Sequence, residues 1–159
     1  MNNIVVMNSD QENTKQSISV PGNFAVCNLA DCVKSNSCLR HIAAGLIPSR
    51  QMCMVSVNPN FVTHEKLASG TCAAYVNAQR VTLARGFQQA LKTVPLGNKK
   101  ALEAQLRNRF CQAVYYRVRK GTRALTPEEQ QFVEQVLVAN GAHRPVIFDT
   151  YEEDYLWDR

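Results

Sequence analysis

Three cysteines fall within twelve positions in CNLADCVKSNSCLRH, residues 27–41, and His41 follows the third of them by three. The stretch has no period of 2 or 3.6, so neither a strand nor a helix accounts for these side chains. Cys72 lies 34 residues beyond Cys38, in a Gly-Thr-Cys turn. Three clustered sulfurs plus one remote sulfur are a common way to enclose a tetrahedral metal ion or an iron–sulfur cluster. Both are soft enough to favour thiolate. The expected ligands are Cys27, Cys32, Cys38 and Cys72, with His41 as the alternative fourth, and the expected cofactor is zinc or an iron–sulfur cluster. The spacing matches neither the usual zinc-finger pairs nor the ferredoxin runs. Two other readings stand beside this one. The thiols could be buried as small hydrophobes, or they could form disulfides.

The remaining cysteines read differently. Cys53 lies in the apolar run MCMVSV and Cys111 in a helical run, and both are expected to be core or half-buried. A nucleophile built from Cys53 or Cys72 with His64 would need a base within hydrogen-bond reach, and no motif supports it. His143 follows Gly141-Ala142 at an expected helix end, where a cation meets the C-terminal dipole. Paired carboxylates, a phosphate loop and a Ser-His-Asp set are all missing from the pattern. The enzyme question leans to no.

Charge is the second signal. The chain carries +5 overall, unevenly spread. Residues 80–123 hold eleven Lys and Arg against Glu103 alone, whereas residues 124–159 hold eight acids against two bases. A basic block of that density suits an anionic partner such as nucleic acid. The alternative is that the acidic tail folds back over the basic block and neutralises it.

Elements must position these groups. Residues 1–19 are polar and expected to be poorly ordered. MCMVSVNPNFV, residues 52–62, suggests a short strand ended by Asn58-Pro59. From Ala73, the residues Val76, Leu83, Phe87, Ala90 and Leu91 recur at helical spacing, up to Val94-Pro95. A second helix is expected over Lys99–Phe110 on Leu102, Leu106 and Phe110. A third spans Ala113–Lys120 on Val114 and Val118 and stops at Gly121. The next has the clearest start: Thr126 as N-cap, Pro127 at N1 and Glu129 closing a capping box. Its apolar face is Phe132, Val133, Val136 and Leu137, and Asn140-Gly141 ends it. PVIFD, residues 145–149, reads as a strand or extended arm.

Two short helices joined tightly at Phe110-Cys111-Gln112 and followed by a capped third suggest a helix-turn-helix arrangement. Gln112–Lys120 would be the recognition helix. Gln112, Tyr115, Tyr116, Arg117, Arg119 and Lys120 are then candidates to face outward, joined by Arg123. The pattern of basic helix, Gly and Leu-Thr-Pro-Glu-Glu-Gln also resembles small bacterial helix-turn-helix proteins, whose turns often carry glycine where this chain has Cys111.

Several features taken together resemble a bacterial family of unknown function. They are the Cys-x4-Cys-x5-Cys-Leu-Arg-His run, the Val-Asn-Pro strand end, Cys72-x2-Tyr75, Tyr115-Tyr116-Arg117, Leu125-Thr126-Pro127-Glu128-Glu129-Gln130 and Phe148-Asp149-x-Tyr151. The resemblance covers residues 20–157. It implies no activity. It implies that Cys27, Cys32, Cys38 and Cys72 belong to a shared pattern and that Cys53 and Cys111 are particular to this chain.

The expected fold is α+β and mainly helical. A small two- or three-stranded sheet formed near 53–57 and 145–148 would carry a Cys-rich loop module and a helix-turn-helix-like C-terminal half. Residues 20–159 form one domain, divided into a Cys-rich module (20–72), a helical part (73–141) and an extended acidic tail (142–159). The start of the chain does not read as a signal peptide, and no apolar run is long enough for a membrane span, so a cytoplasmic location is expected. The leading expectation is a regulator or nucleic-acid-binding protein with a structural or sensing metal site. The alternative is a protein-interaction module whose aromatic acidic tail, Tyr151 to Trp157, docks a partner.

Overall fold

The computed structural model describes residues 18–62 and 70–157. The segment 1–17 and the stretch containing His64 lie outside the described residues. The fold is mainly helical α+β. Its elements are α1 (Leu39–Leu46), β1 (Arg80–Arg85), α2 (Gln88–Thr93), α3 (Lys99–Lys120), α4 (Pro127–Ala139) and β2 (Thr150–Tyr155).

The helical half is built on local signals that work as their chemistry dictates. In α4 the Thr126 hydroxyl accepts from the Glu129 amide, while the Glu129 carboxylate accepts from the Thr126 amide. Pro127 needs no amide partner at its position. Helix α3 ends where Gly121 takes φ 81°, a left-handed value that glycine reaches without a Cβ clash. Within α3 the backbone leaves helical geometry at Cys111 (φ 54°, ψ 165°), so the element is two helical segments meeting at a kink. The break between Lys99–Phe110 and Gln112–Lys120 falls where the sequence places it. Leu102, Leu106 and Phe110 pack from the first segment, and Tyr115 and Val118 from the second, into one core with Val133, Val136 and Leu137 of α4.

The sheet differs from expectation. Residues 80–85, assigned to a helix on the spacing of Val76, Leu83, Phe87, Ala90 and Leu91, form β1. They pair antiparallel with β2 in the register Arg80↔Tyr155 to Arg85↔Thr150. Helical periodicity holds only from residue 88, because Gly86 at φ 70° turns the chain between strand and helix. Val81 and Thr82 are β-branched and suit a pleat. The partner strand lies about seventy residues away in sequence, and no local pattern could name it. The expected strand at 53–57 shrinks to a single parallel bridge, Val26↔Ser56. Residues 145–148 join no ladder, and the second strand is instead the acidic TYEEDY. Arginines on β1 explain that choice: Arg85 meets Glu152 at 2.8 Å, and the Arg80 guanidinium lies over the Tyr155 ring.

The segment after α4 therefore acts as a strap. Asp149 accepts hydrogen bonds from the Gln88 and Gln89 amides, serving as a cap for α2 from sixty residues away. A Cβ on Gly86 would collide with that carboxylate. Strand β2 then covers β1, and Trp157 ends 3% exposed in a second, smaller apolar cluster with Phe24, Val26, Leu39 and Ala43. Its ring meets Phe24 edge-on at 5.0 Å, and its indole N–H donates to Asp154. No helix among the described residues is long and apolar enough to cross a membrane.

Candidate cysteine pocket and basic face

Three separate segments bring the cysteines together. The Cys27 amide donates to the Arg40 carbonyl. Residues 37–39 pair with 76–78, through Leu39 N–H to the Val76 carbonyl at 2.7 Å and Ala78 N–H to the Ser37 carbonyl at 3.0 Å. The Arg40 side chain completes the link by donating to the Ala74 carbonyl at 2.9 Å and to the Ala25 carbonyl at 2.8 Å. Each acceptor lies two residues from a cysteine, Cys72 and Cys27 respectively. Arg40 also stacks on Phe24 at 5.0 Å, which connects this junction to the Trp157 cluster.

The result is one hollow of about 20 Å³ lined by Cys27, Cys32, Cys38 and Cys72 together with His41, Lys34, Arg40 and Tyr75. Every cysteine expected to act as a ligand faces it, and so does the alternative ligand His41. All six cysteines of the chain are free thiols. His41 Nδ1 is buried without a hydrogen-bond partner. An imidazole nitrogen left so is costly unless something occupies the space in front of it. The sulfurs line the hollow without closing on a common point: among the described residues no three His, Cys, Asp or Glu side chains stand as a ready set of metal ligands. The volume suits one atom-sized occupant, since a hollow of about 10–15 Å³ already holds a water.

Cys53 and Cys111 are both exposed, not core or half-buried as expected. Residues 51–56 are all exposed, Met52 at 96%. Cys111 sits on the outside of the α3 kink. The sequence reading missed Lys34, Arg40 and Tyr75 as pocket residues. Arg40 was in plain view inside Cys-Leu-Arg-His, but nothing local said that its guanidinium would span two other segments.

The basic residues distribute unequally. Gln112, Arg117 and Lys120 are exposed, Tyr116 is 37% exposed and Arg119 is half-buried. Tyr115 is only 1% exposed, against the expectation that it faces outward. It lies three residues before Val118, so it shares the inward face, and its larger ring goes deeper than Val114. Burial pushes the Tyr115 hydroxyl pKa up, an effect partly offset by neighbouring Arg119. Arg107 lies over the Tyr116 ring and donates to its hydroxyl at 2.9 Å. Arg123 is held by both carboxylate oxygens of Glu129, of which Oε2 also accepts from the Thr126 amide in the α4 cap. Its guanidinium therefore braces the α3–α4 turn. Among the described residues Arg117 and Lys120 have no ion-pair partner. The acidic strap lies along β1, where Arg85 is matched to Glu152, whose hydrogen bond pushes the guanidinium pKa up.

Comparison with protein families matches residues 7–157 to the Family of unknown function (DUF6078). Neither curated proteins nor solved structures give a match. With 7–157 matched, nearly its whole length, this chain belongs to the family of unknown function DUF6078.

Proposed function

We propose that this protein is a non-enzymatic cytoplasmic regulator that binds nucleic acid and holds a single soft metal ion in its cysteine pocket. The observation that carries the reading is a shared lining. Four cysteines from three segments and a histidine with an unpartnered buried nitrogen face one hollow of about 20 Å³. Those donors favour zinc or another thiophilic ion, and the volume favours one ion over an iron–sulfur cluster. Occupancy would draw the sulfurs inward and tie 27–41 to 72–75. Binding would add to the backbone bonds and the Arg40 bridge that already join these segments, and so would contribute directly to folding. The exposed Arg117 and Lys120 at the end of α3 supply the positive surface for phosphates. The paired helical segments about Cys111 agree with a helix-turn-helix use of α3, although the cationic residues gather at the C-terminal end of the second segment.

Elemental analysis of anaerobically purified protein tests the metal. About one equivalent of zinc is expected, with a chelator lowering the melting temperature and exposing four additional thiols to a thiol reagent. Less than about a tenth of an equivalent of any metal, with all thiols reacting in the native protein, sinks the metal site. Electrophoretic shift assays at low salt test the nucleic acid.

A second reading, protein interaction, is favoured by one observation: Met52, Met54, Val55 and Phe61 form an exposed apolar stretch. The tail supports it less, because Trp157 is packed inside the chain.

A further inference from the structure

A second hollow, of about 440 Å³, opens beside the α3 C-terminus. It is lined by Arg85 of β1, Gln88, Gln89 and Lys92 of α2, Lys120 and Gly121 at the end of α3, and Asp149 and Thr150 of the strap. Three cationic side chains from three elements thus surround one depression. The acids nearby are already engaged. Both Asp149 oxygens accept from backbone amides, Oδ2 from Gln88 and Oδ1 from Gln89. Glu152 is paired with Arg85, which also donates to the Gly121 carbonyl. Lys92 and Lys120 form no ion pair among the described residues, and the lining's cations outnumber its one carboxylate, Asp149. Lys92 is held in place by the Gln89 side-chain carbonyl at 2.9 Å, and Lys120 is exposed without an ion pair.

From this geometry we propose that the hollow is a phosphate seat for the backbone of a nucleic acid, contacted by Lys92 and Lys120, with the Thr150 hydroxyl and the Gln88 side chain as neutral donors. The inference rests on the nucleic-acid reading above and changes where the strand runs. A recognition helix reads bases from its N-terminal residues; here the unmatched charge lies at the other end of the segment and continues onto α2. The strand therefore crosses the α2–α3 junction, and contact there positions the polymer without reading its sequence. The hollow is wide and shallow, and the two ammonium groups reach it from different elements. That suits successive phosphates on a strand better than one enclosed free phosphate.

The test is salt-dependent binding of the intact chain to duplexes and single strands of two unrelated sequences. Lys92→Ala and Lys120→Ala should each lower the slope of log affinity against log salt by about 0.9 on duplex or about 0.7 on single strands, alike for both sequences. Lys99→Ala, an exposed lysine at the far end of α3, should leave the slope unchanged. Thermal melts check that the variants fold; these are surface side chains, and Lys92→Gln and Lys120→Gln repeat the measurement with near-native bulk. If Lys120→Ala flattens the slope and Lys92→Ala does not, the seat is overturned while nucleic-acid binding stands. If the intact chain binds neither polymer at low salt, the reading and the seat both fall. Millimolar inorganic phosphate should not compete at constant ionic strength. Full competition that is lost in Lys92→Ala would replace the backbone seat with a site for free phosphate.

Discussion

The two halves of the molecule solve the same problem with different means. The helical half buries a continuous apolar cluster from Ala84 to Phe148, helped by the local capping box that starts α4 and the glycine that ends α3. Among its described residues the cysteine half has one short α-helix, two 3-10 turns, a buried cluster of Phe24, Val26, Leu39 and Ala43, and no ladder beyond isolated bridges. It borrows Trp157 from the strap and holds its loops with an arginine between two carbonyls. A region with so little apolar burial depends on a few tertiary contacts, each carrying a large share of the whole. Stability in the helical half is distributed, so single losses there should be smaller.

The largest effect expected from that contrast is at Trp157. Trp157→Ala should cost about 3–5 kcal/mol, as for a large buried aromatic, and the loss should fall on the cysteine half. Far-UV dichroism should keep most of its helical signal while the thiols become reactive. If helix signal and thiol protection vanish in one transition, the halves are a single cooperative unit and the contrast is wrong. Next comes Arg40. Replacing it by alanine leaves two carbonyls without their charged donor and should lower stability by about 2–3 kcal/mol. Lysine should recover little, because an ammonium lacks the planar fork that reaches both carbonyls. Full rescue by Arg40→Lys would show that charge alone, and not the bridge, matters.

A smaller effect of opposite sign belongs to the helical half. Cys111 holds φ 54° with an extended ψ, a combination that costs a non-glycine residue about 1–3 kcal/mol. Cys111→Gly should therefore raise stability by about 1 kcal/mol in urea unfolding, after the entropy glycine brings to the unfolded chain. A loss would mean that the turn is relaxed. The smallest effect is at high pH. Burial raises the Tyr115 pKa above its unfolded value, so the neutral ring contributes stability fully below about pH 10. That contribution is lost as pH rises through the higher folded value. Tyr115→Phe should unfold less readily in alkali than the parent. Identical alkaline unfolding of the two would show that burial does not raise the Tyr115 pKa.

The same contrast governs what could be read in advance. Thr126, Pro127, Glu129 and Gly121 act within a few residues of themselves, and each stands in the role its spacing implies. So does the break at Cys111. The β1–β2 pair depends on residues about seventy apart, and the helical spacing from Val76 to Leu91 concealed it because Leu83 faces a core in either conformation. Asp149 was legible as an acid near a strand. Its role as the α2 cap could be inferred only from the lack of a capping side chain at Phe87. In the cysteine half the spacing singled out Cys27, Cys32, Cys38 and Cys72, and only the fold shows that all four line one hollow. The lysines of the second hollow, Lys92 and Lys120, were separated by an element boundary that the charge count passed over.

The strap also sets the order in which the protein can be finished. The cysteine half is made first on the ribosome, yet its apolar cluster lacks the indole until Trp157 has been synthesised, more than 110 residues after Ala43. Domains ordinarily fold in sequence as they emerge. Here the early half must wait while the helical half, whose contacts are nearer in sequence, assembles ahead of it. During that interval the four pocket thiols lie open to metal, oxidant or chaperone. A chain interrupted between Phe148 and Trp157 would carry every residue of the helical core but leave the cysteine half without its indole, which is the kind of surface that cellular proteases remove.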